Sequence, residues 1–408
     1  MTKVETTAAT AKGAGTVNEP VTPGRAPVEP GPRRVARVAW RDFSMLIALV
    51  AIFVFFSIAS PTFVSARNLS NLAVELSITA VLALGMLMII VTSQMDLSVG
   101  SGVGLFGGLA AVLTFEQQWP APAAMALSLV VAIGVWTMMG AIIVKQRVPA
   151  FIITLAGLLV FKGLHWLVIH NETIPIAVPG QENAYSLLTT YFVPKLAGYV
   201  LAGVVVGSVA WMRIAARRER LALGLDVEPA ADTYARVFLV GQLVFLFVIL
   251  CNQYRGVPLP AVILGVTAFV VWVVTQHTRF GRYLYAIGGN EEAARISGIA
   301  VDRVVIGAFA AMGGIVALTG FMQTAYSGAS TTTVGSLMEL DAIAACVIGG
   351  TSLRGGRGTV TGVLFGALIM ASLLNGMTLM AVSPEIKLIA RGLVLAVAVW
   401  MDVRLARS

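Results

Sequence analysis

Apolar stretches of roughly 17–25 residues, each long enough to cross a hydrocarbon layer, recur along this chain. They fall near 43–60, 76–94, 98–115, 123–144, 150–169, 196–212, 236–251, 259–275, 304–322, 338–352, 359–376 and 386–402. In lipid, every backbone N–H and C=O must be satisfied internally, which leaves only helices and closed barrels. Runs of this length read as helices. The composition agrees, with 58% hydrophobic residues and 12% charged ones, against about 25% charged in a soluble domain. The expectation is an all-α polytopic membrane protein of about twelve transmembrane helices, some too short to cross upright unaided.

Residues 1–40, rich in Ala, Thr, Pro and Gly, read as a disordered cytoplasmic tail, and 41–408 as the transmembrane domain. The first apolar run comes late and lacks a cleavage site, so it is taken as an uncleaved span. The net charge of +8 does not indicate nucleic acid, because the charges sit in short clusters between apolar runs. With the N-terminus inside, the tail, the loops 145–147, 213–236, 279–303 and 354–357, and the C-terminal end hold most Lys and Arg. The opposite side holds Arg67, Lys195, Arg255, Lys387 and Arg391. Both termini are therefore expected in the cytoplasm.

A weak internal repeat runs at a constant offset of 235. Gly85 falls on Gly320, Val99-Gly100-Ser101 on Val334-Gly335-Ser336, Pro149 on Pro384, and Gly157-Leu158 on Gly392-Leu393. The two copies start on opposite sides of the membrane in this topology. That makes an inverted repeat, an arrangement in which transporters place the pathway between the copies.

Asp96, in the junction Asp96-Leu97-Ser98, is an ionisable residue between apolar runs, which points to function. It also suits a helix cap, and the two roles are compatible. Gly102-Val103-Gly104-Leu105-Phe106-Gly107 matches a dinucleotide fingerprint but lies inside an apolar helix, without the required strand. Its physical content is the stripe Gly100, Gly104 and Gly108, repeated as Gly358, Gly362 and Gly366, two smooth faces for close helix packing. In the segment 276–303, Asn290 suits a cap, Glu291 and Glu292 suit the positive end of a helix dipole, and Gly298 ends a helix of about two turns. So short a helix needs something to lie against, either a cytoplasmic partner or the membrane surface. No Walker A pattern occurs, so any ATP chemistry belongs to another chain. Cys251 and Cys346 lie in apolar segments, and His165, His170 and His277 are scattered, so no metal site is expected.

Several segments together carry a resemblance. They are Asp96 to Ser101, Val148 to Gly157, Arg255-Gly256-Val257-Pro258, Ala286 to Ile299, Glu339 to Ala345 and Val347 to Leu353. In this order they resemble the ribose/xylose branch of bacterial ABC importer permeases, over nearly everything beyond the tail. Extra spans near 196–251, with the cytoplasmic run Arg217-Arg218-Glu219-Arg220, make the chain most similar to the D-xylose type. The resemblance implies the vitamin-B12-importer type (type II) of fold in a bacterial inner membrane. It further implies a homodimer surrounded by membrane lipid, a separate ABC ATPase subunit carrying ATP and Mg, and a periplasmic sugar-binding protein. The substrate implied is a monosaccharide, with D-xylose leading, and the chain is a transport subunit rather than an enzyme. By the same analogy Gly289, Asn290, Glu291, Glu292, Arg295 and Gly298 belong to an ATPase-coupling helix. One departure is the turn Arg354-Gly355-Gly356-Arg357, more basic than the resemblance leads one to expect.

Candidate groups for the translocation path are Gln94, Asp96, Ser98, Glu339 and Asp341, with a core hydrogen-bonding role open for each. The main rival is an ion-coupled secondary sugar transporter, for which Lys162 is the clear mid-membrane candidate. A membrane-embedded enzyme would need a nucleophile with a base, or clustered metal ligands, and neither pattern is visible.

Overall fold

The computed structural model describes residues 32–176, 183–225, 227 and 229–407. The expected tail lies outside the described residues up to position 31, and helix begins at Pro32, within the stretch read as tail. The chain divides into two units, Met1–Phe43 and Ser44–Ser408. The helices are α1 (Pro32–Ala59), α2 (Ala66–Val91), α3 (Val99–Phe115), α4 (Ala121–Gln146), α5 (Ala150–Val168), α6 (Ala184–Thr190), α7 (Lys195–Ala222) and α8 (Ala230–Asn252). They continue as α9 (Leu259–His277), α10 (Arg279–Gly289), α11 (Glu291–Ile296), α12 (Val301–Ser327), α13 (Met338–Ile348), α14 (Val360–Leu379) and α15 (Pro384–Arg407). Two short antiparallel ladders, Ile174–Pro175 with Ala329–Ser330 and Phe192–Val193 with Val257–Pro258, tie loops together.

Among the described residues, eight helices are long and apolar enough to cross a membrane: α2, α4, α5, α7, α8, α9, α12 and α14. The apolar part of α1 (Met45–Ala59) and α3 are shorter. The segment read as a span at 338–352 holds an 11-residue helix, α13, which covers roughly half of a bilayer core at 1.5 Å per residue. Glu339 and Asp341, both buried, occupy its first turn, so that end lies inside the bundle, while Gly349 at the other end packs on Gly362 in the first turn of α14.

A helix that is apolar all round belongs in the middle of a bundle. α2 fits this rule, with 83% of its apolar stretch buried, against 6% for α7 and 11% for α8. α2 packs on α12, α14, α9 and α13, while α7 and α8 pair mainly with each other at the edge.

The repeat is visible in this packing. α2 and α12 begin at Ala66 and Val301, 235 positions apart, while Pro149 precedes α5 and Pro384 opens α15. Tyr326 donates to Glu75 across 2.7 Å at one end of the α2–α12 contact. Farther along, Gly85 meets Met312 and Ile315. One number rises as the other falls, so these equivalent helices are antiparallel and the two copies are inverted. The contacts are reciprocal as well, since α4 packs on α12 as α14 packs on α2, and α3 on α12 as α13 on α2.

In lipid, helices gain little from hydrophobic association and rely on close van der Waals packing. The halves approach backbone to backbone, and a Cβ on Gly320 would lie 2.6 Å from Val103 O, while one on Gly107 would lie 2.6 Å from Gly320 O. The predicted glycine stripes are both filled, though not by each other. Gly104 and Gly108 receive the His165 ring, Gly100 faces Gly335, and Gly362 and Gly366 receive the end of α13. Gly320→Val is expected to lower stability by about 1–3 kcal/mol through overpacking. Gly203→Val in α7, where nothing lies within 4 Å, is expected to be near neutral. Thermal unfolding of the detergent-solubilised proteins checks the contrast.

Candidate functional site

After α2 ends at Val91, residues 92–98 turn back into the bundle before α3 starts. Ser98 then lies against Gly157, about halfway along α5, and Thr154 donates to Met95 O across 3.2 Å. The second half does the corresponding thing through 328–337 before α13. The two return segments meet at their repeat-equivalent glycines. A Cβ on Gly100 would lie 2.6 Å from Gly335 O, and Gly335 sits at φ +81° directly on Gly100 O. Non-helical backbone at membrane depth is tolerated only where it is buried in protein or lines a cavity.

Asp96 secures the first return segment. It is fully buried, and one carboxylate oxygen accepts from Ser98 N at 2.9 Å and Ser98 Oγ at 2.5 Å. The other oxygen accepts from Trp136 Nε1 at 2.6 Å. Asp96 therefore satisfies a free N–H at the α3 start, as a cap would, and also ties that start to α4. The bare Gly102 makes room for the Trp136 ring, which packs on Phe106 and Phe161, and Gly313 lets α12 close on the α4 backbone at Ala132 and on Trp136 Cβ.

Beside the meeting point lies a cavity of about 270 Å³, lined by Ser101, Lys162, His165, Thr332, Ser336 and Glu339 among others. It is close to the small end of ligand pockets, about 300 Å³. Ser101 and Ser336 are repeat equivalents, one from each half. Glu339 is 6% exposed and brings a carboxylate. Lys162, from α5, brings an ammonium that stands 5.6 Å from the Trp166 ring centroid. Trp166 Nε1 in turn donates to Thr332 O across 3.2 Å, fixing α5 to the cavity loop. His165 is buried beside Gly104, with Nε2 3.4 Å from Ser330 Oγ.

Of the residues expected along a path, Glu339 alone lines this cavity. Asp96 and Ser98 are enclosed by protein, and Gln94 sits half-buried in the return segment. Asp341 is buried, 3.5 Å from Arg391 Nε of α15, an ion pair without a hydrogen bond. Sequence reading passed over Ser101, His165, Thr332 and Ser336. The signal available was the repeat itself, which superposes Ser101 on Ser336.

The 276–303 segment forms α10 and α11 and presents its own surface. Asn290 caps α11 by accepting from Ala293 N at 2.9 Å, and Gly298 follows at φ +82°. Arg295 bonds Glu291 at 3.0 Å and Asp302 at 2.9 Å, and these carboxylates push its already high pKa further up. Of the helix only Ala294 is buried, while Ile296 is 81% exposed. The base of this element is pinned through backbone. Gly356 N donates to Val91 O at 2.9 Å, Ser93 Oγ donates to Arg354 O at 2.7 Å, and Gly288 lies against both Val91 and Gly356. The end of α2, the end of α10 and the basic turn 354–357 thus form one junction.

A helical bundle of inverted halves, crossing the membrane several times with a small, partly polar cavity between the halves, is the architecture of a membrane permease. The chain belongs to the family described as branched-chain amino acid transport system / permease component, which matches residues 68–399. It is 40% identical over 363 residues to the xylose transport system permease protein XylH of Escherichia coli (strain K12), covering 88% of this chain and 91% of that one. The protein of the same name from Haemophilus influenzae is 41% identical over 367 residues, covering 88% and 95%. The ribose import permease protein RbsC of Escherichia coli (strain K12) is 34% identical over 372 residues, covering 91% and 96%. No solved structure matches the chain.

Trp136→Phe removes a donor from a buried carboxylate and also empties the space over Gly102 that the outer indole ring fills. It is expected to cost about 2 kcal/mol and to lower the thermal midpoint of the solubilised protein. Asp96→Asn is expected to cost a similar amount, because its NH₂ would have to face either the Trp136 N–H or the Ser98 donors.

Proposed function

We propose that this chain is the permease subunit of a binding-protein-dependent ABC importer that moves a monosaccharide, D-xylose first, into the cytoplasm. The carrying observation is the small cavity between the inverted halves, apolar walls with polar side chains from both halves, in a chain whose relatives are named as xylose and ribose permeases. A sugar is neutral and presents many hydroxyls, each able to donate and accept. Ser101, Ser336 and Thr332 match both roles, Lys162 donates and Glu339 accepts. No deep, fully enclosed pocket is needed, since tight binding along a path only slows release.

In this reading the protein lies in a bacterial inner membrane with both termini in the cytoplasm. The described spans are part of a bundle of about twelve helices of the vitamin-B12-importer type. It works as a homodimer with a periplasmic sugar-binding protein on one face and two ATPase subunits, which carry ATP and Mg, on the other. Glu339 belongs to the path, whereas Asp96, Ser98 and Asp341 hold the core around it. The exposed α11, with Gly289, Asn290, Glu291, Glu292, Arg295 and Gly298, docks to the ATPase. The backbone junction of Gly288, Val91 and Gly356 passes its movement to α2, the central helix. Transport without any ATPase chain would favour the ion-coupled secondary transporter instead.

Cells lacking this gene are expected to lose uptake of labelled D-xylose at low concentration, with unlabelled xylose as the strongest competitor. Equal competition by glucose or galactose would point to a broader monosaccharide system, and unchanged uptake would remove xylose. Substituting both Glu291→Lys and Glu292→Lys is expected to abolish uptake in a complex whose ATPase still hydrolyses ATP. Normal uptake by that variant would sink the docking assignment.

A further inference from the structure

The inverted halves hold equivalent residues in different conformations beside the cavity. In the first half α3 begins at Val99, so Val99, Gly100, Ser101 and Gly102 form its first turn. At the offset of 235 their equivalents are Val334, Gly335, Ser336 and Leu337, which are not helical, and α13 starts only at Met338. The segment is folded instead into tight turns, with Val334 N donating to Thr331 O and Ser336 N to Thr333 O, each across 3.1 Å. Gly335 sits at φ +81° and Leu337 at φ +63°. Among the described residues, Leu337 is the one large apolar side chain held at positive φ, a conformation that crowds its Cβ against the backbone. All four residues line the cavity.

The first half shows what the same segment meets when it is helical. There Gly102 lies under the Trp136 ring of α4, and a Cβ on it would run into that ring. The second half exchanges the sizes. The equivalent of Gly102 is the large Leu337, and that of Trp136 is the small, buried Ala371 of α14. A large residue opposite a small one at both places is what close packing of one shared helical geometry requires. Leu337 wound into α13 would turn toward α14, on which α13 already packs, and Ala371 leaves it room. The connection does not need these four residues unwound, since 92–98 makes the equivalent return in the first half before a helix that starts at Val99.

We propose that 334–337 is a helix-winding switch, unwound as it stands here and wound onto the start of α13 as one further turn in a second state. Winding adds roughly 6 Å of helix, withdraws Leu337 from the cavity and replaces one of its walls. The pairing of β4 with β1 and the bond from Trp166 to Thr332 O hold the entrance of the segment still while it winds. The switch rests on the reading of the cavity as part of a sugar path, and it makes Leu337 the apolar gate of that path.

The test measures amide hydrogen exchange over 331–340 in the full solubilised chain by mass spectrometry, beside D-xylose uptake by cells carrying the same variants. Leu337→Gly accepts positive φ and disfavours helix, so it is expected to shift the balance toward the unwound form by about 30-fold and to speed exchange. Leu337→Ile keeps the volume, but a β-branched residue is a severe outlier at positive φ, so exchange is expected to slow. Both variants are expected to lower uptake, since a cycle needs both forms. A leucine that only packs the cavity wall predicts the opposite sign for isoleucine, whose strain would then loosen the segment. Faster exchange in Leu337→Ile, or undiminished uptake by both variants, would overturn the switch. If the isoleucine variant does not fold, Ser336→Ala, which raises helix propensity at an exposed position, is expected to slow exchange, and an unchanged or faster rate would count against the proposal. Xylose uptake that is the same with and without the gene would remove the sugar reading alone, because the exchange order is read on the isolated chain.

Discussion

The structure depends on backbone meeting backbone where the inverted halves touch. Gly107 against Gly320 and Gly100 against Gly335 bring main chains together with no side chain between them. In a hydrocarbon solvent this closeness supplies attraction that burial of apolar surface cannot. It also sets the position of everything else. Once these glycines are in contact, the returns 92–98 and 328–337 end beside each other, and the cavity forms where they end.

The halves share a scaffold but not a chemistry. Position 104 in the first half is a glycine that admits the His165 ring, while its equivalent in the second half is Glu339, facing the cavity. An ionisable group inside a membrane bundle calls for a partner or a function. Asp96 has its three donors and Asp341 has Arg391 nearby. Glu339 instead shares a cavity with Lys162, which separates it from the acids that hold the core.

The features legible in sequence were those set by local or periodic physics. Apolar length located most helices, although 338–352 holds a helix of half the span, because hydropathy averages over the acids and glycines at its ends. The constant offset of 235 exposed the inverted repeat through its glycines and proline. The Asn290 cap and the Asp96 contact with Ser98 are local and were readable. The bond from Trp136 to Asp96 spans 40 positions, and nothing near either residue announces it. His165 and Lys162 stood alone on an apolar helix, and only the folding of 332–339 beside them makes a site. The glycine stripes were recognised as packing faces, but their occupants depend on tertiary path.

The small charged helix α11 has one further consequence. Its cap, its Glu291–Arg295–Asp302 bonds and its footing on the glycine junction all come from this chain. The element is thus assembled before any other protein reaches it. A partner that receives it loses little to ordering a floppy segment, so recognition of this surface rests on shape already present and is comparatively cheap in entropy.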